Sequence, residues 1–474
     1  MTSPPEGWGY PPVAATPPGG YPSPGAALAA APPPPRRIDW WRIVLLIGIP
    51  VGMAASGSAL LFYVGSKIGV TALVIGIVAA ILPVPVLVAC FLWLDRYEPE
   101  PLRYLVICLG WGATVATGVA LLVNTGAAAL VSRWGWPDWL VATVTAPFIE
   151  ESMKALGPLL LLVFTRRRAF SGVVDGIVYC GLSATGFAMV ENILYLGGLG
   201  YAANARQGGV SAGVAGLISV FIGRIVLSGF AHPLFTAMTG IGLGVAARSG
   251  DRALRWLAPL AGWLVAMILH GSWNLMSTLA NETGKALILL YGYFSVMMPI
   301  FLAMVGFALW LRSWEGRLTQ RMLPDYVRTG WLTPPEVASL ATMGRRQSAR
   351  TWARRVAGEP GAAAMRGYQF TATRLALLRD EIRRGLDPRP EARARTADEE
   401  RLLLAAIVGY RAVFTGRDPR VPRAVWDGRH YHVSFPDGQV RALPAGDTPV
   451  VPVPVVLAPP QPPPRYPYPA PYRR

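Results

Sequence analysis

The sequence predicts an all-α, polytopic membrane protein: a bundle of about eight transmembrane helices with disordered Pro-rich tails and a small soluble C-terminal region. Three observations carry this expectation. Of 474 residues, 53% are hydrophobic and only 15% are charged, with a mean hydropathy of +0.38; soluble domains carry about 25% charged residues. The apolar residues come in runs, and a hydrocarbon core about 30 Å thick asks for about 20 such residues per helix. The basic residues fall between those runs and in the C-terminal third.

Residues 1–37 hold Pro32-Pro33-Pro34-Pro35 and repeated Tyr-Pro pairs. They offer too little apolar surface to fold and no short apolar core ending in a cleavage site, so the segment reads as a disordered cytoplasmic tail and not a signal peptide. The membrane domain is expected over 38–312, with eight spans near 41–64, 70–94, 104–131, 139–164, 173–198, 212–247, 256–280 and 286–311. The sixth is overlong and reads as broken or tilted. Residues 313–443 form a basic cytoplasmic region, mostly helical, with amphipathic stretches near 366–385 and 396–415. A β-hairpin is expected between Trp426 and Leu443, turning at Pro436-Asp437-Gly438. Residues 444–474 form a second Pro-rich tail.

The net charge of +17 comes almost wholly from arginine, since lysine occurs only at Lys67, Lys154 and Lys285. With the N-terminus inside, the inner segments carry eleven basic residues up to the seventh span and the outer loops four (Lys67, Arg133, Arg206 and Lys285). This asymmetry places both termini in the cytoplasm of a bacterial cell, with Arg166–Arg168 as a topology anchor. The charge suits an anionic lipid bilayer; no nucleic-acid reading motif accompanies it, so no nucleic-acid partner is expected. Cys90, Cys108 and Cys180 all lie in apolar runs, an odd number without a disulfide framework.

Ionisable residues at bilayer depth cost at least about 2.5–3.5 kcal/mol each on insertion scales, so each needs a reason. The fourth span holds Glu150-Glu151-Ser152-Met153-Lys154, where Lys154 lies one turn from Glu150 and Glu151 points about 100° away. The fifth holds Glu191-Asn192, with no basic neighbour on its own helix. The sixth contains Arg224 and then His232-Pro233, and the proline predicts a break in the helix there. The seventh places His270 and Asn274 on one face. Each alone has a bland reading as a helix-to-helix hydrogen bond. Carboxylate and imidazole from four spans together are equipment for activating water, directly or through a metal.

No His-Glu-x-x-His, Gly-x-Ser-Gly or Gly-x-Gly-Asp occurs, which argues against three other kinds of intramembrane protease. The ordered elements Glu150-Glu151-x-x-Lys154, Phe187-x-x-x-Glu191-Asn192, His232 and His270-x-x-x-Asn274 resemble the PrsW family of intramembrane metalloproteases, related to the type II CAAX-prenyl endopeptidases. The loop Asp95-Arg96-Tyr97-Glu98-Pro99-Glu100-Pro101 looks like the segment that precedes the family's core. The resemblance covers about residues 40–312 and neither tail.

What it implies is an endopeptidase acting on membrane-bound protein substrates, among them an anti-sigma factor in stress signalling. Glu150 and Glu151 would activate water, with Lys154, Glu191 and Asn192 in the motifs. His232 and His270 would bind a metal or stabilise the oxyanion, assisted by Asn274. If a metal is bound, the expected ligands are His232, His270 and Glu191, with zinc the candidate; a metal-free glutamate-activated water is the other course. Two further readings stay open: a non-catalytic membrane scaffold, and an ion or proton transporter using the buried glutamates. The sequence shows no internal repeat of the kind transporters carry.

Overall fold

The structure, a computed structural model, describes residues 40–97, 99–165, 170, 172–385, 390–418, 424–426, 429–434, 439–444 and 456–457. Residues 1–45 cluster as one unit, of which only the start of the first helix is described, and residues 46–474 as a second. The predicted tail 1–37, Arg166–Arg168 and the turn Pro436-Asp437-Gly438 lie outside the described residues.

Helix α1 (Trp40–Ile68) ends at Gly69, whose φ of 88° lets the chain reverse directly into α2 (Val70–Ile81). Pro83 separates α2 from α3 (Val84–Leu94) within one apolar segment. Helix α4 (Leu102–Trp134) carries a π-helical stretch at Gly112–Ala116 and stops on left-handed Gly135. A π-helical turn, Val141–Thr145, leads into α5 (Ala146–Thr165), which holds both adjacent glutamates.

Helix α6 (Val173–Ile193) is the axis of the bundle, buried all round. A helix enclosed on every side has no polar face to show, and close neighbours need small residues at the contacts. A side chain at Gly176 would meet the carbonyl oxygen of Gly240 at 2.0 Å. The helix continues through Leu194–Ala202 into α7 (Ala203–Phe221), which is broken at Gly208 and Gly209, the latter with φ 73°. There the chain doubles back, and Gly216 lies against Gly200 and Asn204. The returning arm ends in a π-helical stretch, Ile222–Leu227, and after a turn gives α8 (Ala231–Ala247). The expected break at His232 falls slightly earlier, at Ser228–Phe230, so that His232 and Pro233 occupy the first turn of α8, where proline's missing N–H costs nothing.

Helix α9 (Arg252–Thr283) starts on Asp251, whose Oδ1 accepts from the Ala253 amide at 2.8 Å, and ends at left-handed Gly284. Helix α10 (Ala286–Gly292) runs through Tyr293–Met297 into α11 (Met298–Met322).

Among the described residues, six segments are long and apolar enough to cross a membrane: Ile47–Ile68, Val70–Leu94, Leu102–Trp134, Val173–Ala247, Arg252–Thr283 and Ala286–Arg328. Eight were expected, and the difference has two physical causes. Helix α5 carries Glu150, Glu151 and Lys154 within one turn, too many charges for an apolar segment by composition. The fifth and sixth expected spans fall in one segment of 75 residues, about 110 Å if straight, folded back at Gly208–Gly209 and interrupted at Ser228–Phe230.

The C-terminal region comprises α12 (Pro324–Arg328), α13 (Pro334–Leu340), α14 (Met343–Arg383) and α15 (Pro390–Phe414) around a core that includes Leu323, Tyr326, Trp352, Tyr368, Leu375, Ile407 and Phe414. Strands β1 (Ala424–Trp426), β2 (His430–Ser434), β3 (Val440–Pro444) and β4 (Val456–Leu457) form a sheet in the order β3-β2-β1-β4. β2 and β3 pair antiparallel, as the expected hairpin requires. β4, from within the segment read as a tail, pairs in parallel with β1.

Helix α11 passes unbroken through residue 312, so no linker separates the membrane helices from the C-terminal region. Arg346, 2% exposed, donates to the carbonyls of Leu340 at 2.9 Å and Tyr97 at 3.2 Å and to Thr373 Oγ1 at 2.7 Å. Burial lowers its pKa to about 10, which leaves it charged at neutral pH. Arg248, after α8, pairs with Asp380 of α14. The loop before α4 is held from its other side, where Tyr179 OH donates to Glu100 Oε2 at 2.6 Å.

Candidate active site

Four membrane helices bring their ionisable groups to one place. α5 presents Glu150, Glu151 and Lys154 on its buried face, all inside the bundle because the neighbouring turns are fixed from outside. Trp111 Nε1 donates to the Met153 carbonyl at 2.8 Å, and Ser183 Oγ to the Lys154 carbonyl at 2.7 Å. Both bonds take helix carbonyls that α5 leaves accessible, and they hold this turn against α4 and α6.

The Lys154 ammonium has three donors and no acceptor, and it meets three acceptors. These are Glu150 Oε2 at 3.2 Å, Glu151 Oε1 at 2.9 Å and His232 Nδ1 at 3.0 Å. Its charge also lies 4.0 Å from the centre of the Phe187 ring. Because lysine can only donate, His232 Nδ1 must accept, and the ring proton of a neutral His232 sits on Nε2. That nitrogen lies 2.9 Å from Glu191 Oε2, which takes the proton as a hydrogen bond.

The same reasoning fixes the second ring. His270 Nδ1 lies 2.9 Å from Glu151 Oε1, an acceptor, so Nδ1 carries the proton and Nε2 keeps a lone pair. Thr236 Oγ1, one turn after His232 on α8, donates to the other Glu151 oxygen at 2.7 Å. Glu151, fully buried, therefore receives Lys154, His270 and Thr236.

Glu150 is held more lightly. Asn124 of α4 donates to its Oε1 at 3.3 Å. Its Oε2, besides Lys154, faces His270 Nε2 across 3.8 Å, too far for a direct hydrogen bond. The Asn124 Oδ1 beside it is buried with no partner among the described residues. The two imidazoles meet edge to face with centroids 5.1 Å apart, and Phe235 stacks on His270 at 5.3 Å.

Glu150, His232 and His270 each offer a ligand atom, all within 4.8 Å of one another, the one such group of three or more metal-ligating side chains among the described residues. The set suits a divalent metal: a carboxylate and two imidazoles, each imidazole with its far nitrogen on a carboxylate, the arrangement that fixes the ring and raises ligand basicity. Lys154 donates to two of the same acceptors, so binding a metal requires its ammonium to withdraw from His232 Nδ1 and Glu150 Oε2.

The expected ligand set was His232, His270 and Glu191, and the structure groups Glu150 with the histidines instead. Glu191 stands behind His232, where Arg224 Nη2 donates to it at 2.5 Å. Asn192 accepts from Arg224 Nε at 3.1 Å, away from the cluster. Asn274 shares a helix face with His270 but donates to the Ala142 carbonyl at 2.9 Å, tying α9 to the π-helical turn that leads into α5. Three polar participants were not singled out from the sequence as site residues: Arg224, Thr236 and Asn124. A charge inside an apolar run marks Arg224, and the four-residue spacing from His232 marks Thr236; Asn124 has no such signal.

Comparison with known proteins places the cluster within a matched family segment. A family described as PrsW family intramembrane metalloprotease matches residues 100–304, which include every residue of the cluster. Protease PrsW of Clostridioides difficile (strain 630) is 29% identical over 225 residues, 46% of this chain and 85% of the relative. Protease PrsW of Bacillus subtilis (strain 168) is 28% identical over 201 residues, 42% and 81% of the two chains. Protease PrsW of Geobacillus kaustophilus (strain HTA426) is 25% identical over 196 residues, 41% and 76%. No solved structure gives a significant match. With the apolar helices and these relatives together, the chain is a multi-pass membrane protease whose residues 100–304 match the PrsW family.

Proposed function

We propose that the protein cleaves peptide bonds of membrane-bound protein substrates with a water activated between Glu150 and His270. One observation carries this reading: Glu150 Oε2 and the lone pair of His270 Nε2 face each other 3.8 Å apart in a buried site. Two acceptors at that distance do not bond each other, and both suit a shared third atom. The unpartnered Asn124 Oδ1 adds an acceptor next to Glu150 for a water hydrogen.

In this reading Glu150 takes the proton as the water oxygen adds to the substrate carbonyl, and returns it to the leaving amine. Lys154 donates to the oxyanion, being the one cation that touches both glutamates. Glu151 holds His270 in the tautomer that leaves Nε2 unprotonated, and Glu191 does the same for His232 Nδ1. Glu150, His232 and His270 would hold a zinc ion, which when bound supplies a Lewis acid and a more acidic water.

The membrane unit near 38–312 carries the chemistry and the region 313–443 lies on the cytoplasmic side, an orientation supported by the arginine asymmetry between loops. An anti-sigma factor with a single membrane span is the substrate class the family resemblance suggests. The test is reconstitution with single-span substrates: wild type cleaves, and His270→Ala lowers turnover by about 10²–10⁴-fold. Equal cleavage by the folded variant would defeat this reading.

A further inference from the structure

Arg224 has no task in the chemistry above, yet the structure ties it to the site by three contacts. It stands on the arm 210–227 as its single charged residue. Val210, Val214, Ile218, Ile222 and Val226, each four residues on, expose their side chains along that arm, as a lipid-facing stripe does. Arg224 turns the other way. Nη2 reaches Glu191 Oε2 at 2.5 Å, Nε reaches Asn192 Oδ1 at 3.1 Å, and the guanidinium lies 3.6 Å from the centre of the Tyr195 ring. The oxygen it holds, Glu191 Oε2, is the one that lies 2.9 Å from His232 Nε2.

A carboxylate tied only to an imidazole is free to rotate, and Lys154 offers it a competing charge on the far side of that ring. A planar guanidinium stacked on an aromatic ring and bonded to the next side chain removes that freedom. A point charge on a flexible stem would not orient the carboxylate in the same way. We propose that Arg224 is a positioning residue for the proteolytic reaction: it fixes Glu191, and through Glu191 the Nε2–H hydrogen bond and ring orientation of His232. This rests on the reading of His232 as part of the hydrolytic centre.

The test uses the full chain in micelles with isotope-labelled histidine; the protein has four histidines, so His232→Asn assigns the resonance of interest. In wild type, the His232 Nε2 proton is hydrogen-bonded to Glu191 and resonates far downfield, and in Arg224→Met that signal moves upfield or is lost to exchange. With a single-span substrate, Arg224→Met lowers kcat by roughly 10–100-fold with KM within about twofold, and Arg224→Lys recovers only part of the loss. The double variant Arg224→Met/Glu191→Gln is no more than about twofold slower than Glu191→Gln alone, since the two residues act in series. Where Arg224→Met does not fold, Arg224→Gln is used with the same expectations. A wild-type Nε2–H signal in the variant, kcat within about twofold of wild type, or losses that multiply in the double variant would each overturn the proposal. If wild type cleaves no substrate, the proteolytic reading fails, and the Nε2–H signal still decides the role of Arg224.

Discussion

The carboxylate of Glu151 and the imidazole of His270 meet at 2.9 Å between Oε1 and Nδ1. That choice of nitrogen turns the Nε2 lone pair of His270 towards Glu150, on the same helix as Glu151 and one residue before it. Two adjacent glutamates thus do different work: one orients a ring, and the other faces what that ring presents. Thr236 completes the first of these, donating to the second Glu151 oxygen.

Thr236→Val is expected to lower turnover by roughly 10–100-fold, because it removes a partner that orients a residue behind the reacting groups. Thr236→Ser keeps the hydroxyl and is expected to stay near wild type. Steady-state cleavage of a single-span substrate by the two variants makes the comparison.

Chelation is expected to abolish cleavage and zinc to restore it, with the unfolding temperature of the chelated protein lowered. Binding to the folded state alone stabilises by mass action, about 2.7 kcal/mol at a hundredfold excess over Kd. Metal analysis alongside unfolding in micelles reads both effects. An unfolding temperature and activity unchanged by chelation and by added zinc would assign the site to a metal-free water.

Helices α6 and α8 approach each other most closely at a glycine pair, Gly176 and Gly240. A Cβ at Gly240 would meet the Gly176 carbonyl oxygen at 2.2 Å. Gly240→Val therefore forces α6 and α8 apart and is expected to destabilise the bundle by at least about 1–3 kcal/mol. Since α6 carries Glu191 and α8 carries His232, activity should fall with it. Unfolding in mixed micelles measures the first effect and cleavage the second.

Arg346 joins the C-terminal region to the loop before α4 through the Tyr97 carbonyl. Arg346→Met leaves buried acceptors unpaired and is expected to cost about 1–3 kcal/mol. Limited proteolysis should then cut the C-terminal region faster while the membrane helices stay intact. An unchanged cleavage rate would show that this arginine does not hold the two together.

The ionisable members of the site were legible in the sequence because each is costly where it stands. A glutamate, lysine or histidine inside an apolar run stands out whatever surrounds it. Their pairing was not legible. Spacing gives the helix face of Glu150 and of Glu191 but not which imidazole nitrogen each faces: Glu191 meets His232 Nε2, and Glu150 is the carboxylate grouped with both rings. Asn274 shows the same limit: spacing gives its helix face, while its partner is a backbone carbonyl, which no side-chain pattern announces. The fold was legible as apolar runs. The hairpin at Gly208–Gly209 was obscured because Tyr201-Ala202-Ala203-Asn204-Ala205-Arg206, polar enough to read as a loop, continues the helix up to the glycine pair.

The most direct test compares Glu150→Gln with Glu191→Gln in proteoliposomes carrying the same single-span substrate. Glu150, as the group that takes the proton, should lose about 10²–10⁴-fold in turnover when neutralised. Glu191, as the group behind His232, should lose roughly 10–100-fold. A folded Glu150→Gln protein that cleaves as fast as Glu191→Gln, or faster, would contradict the account.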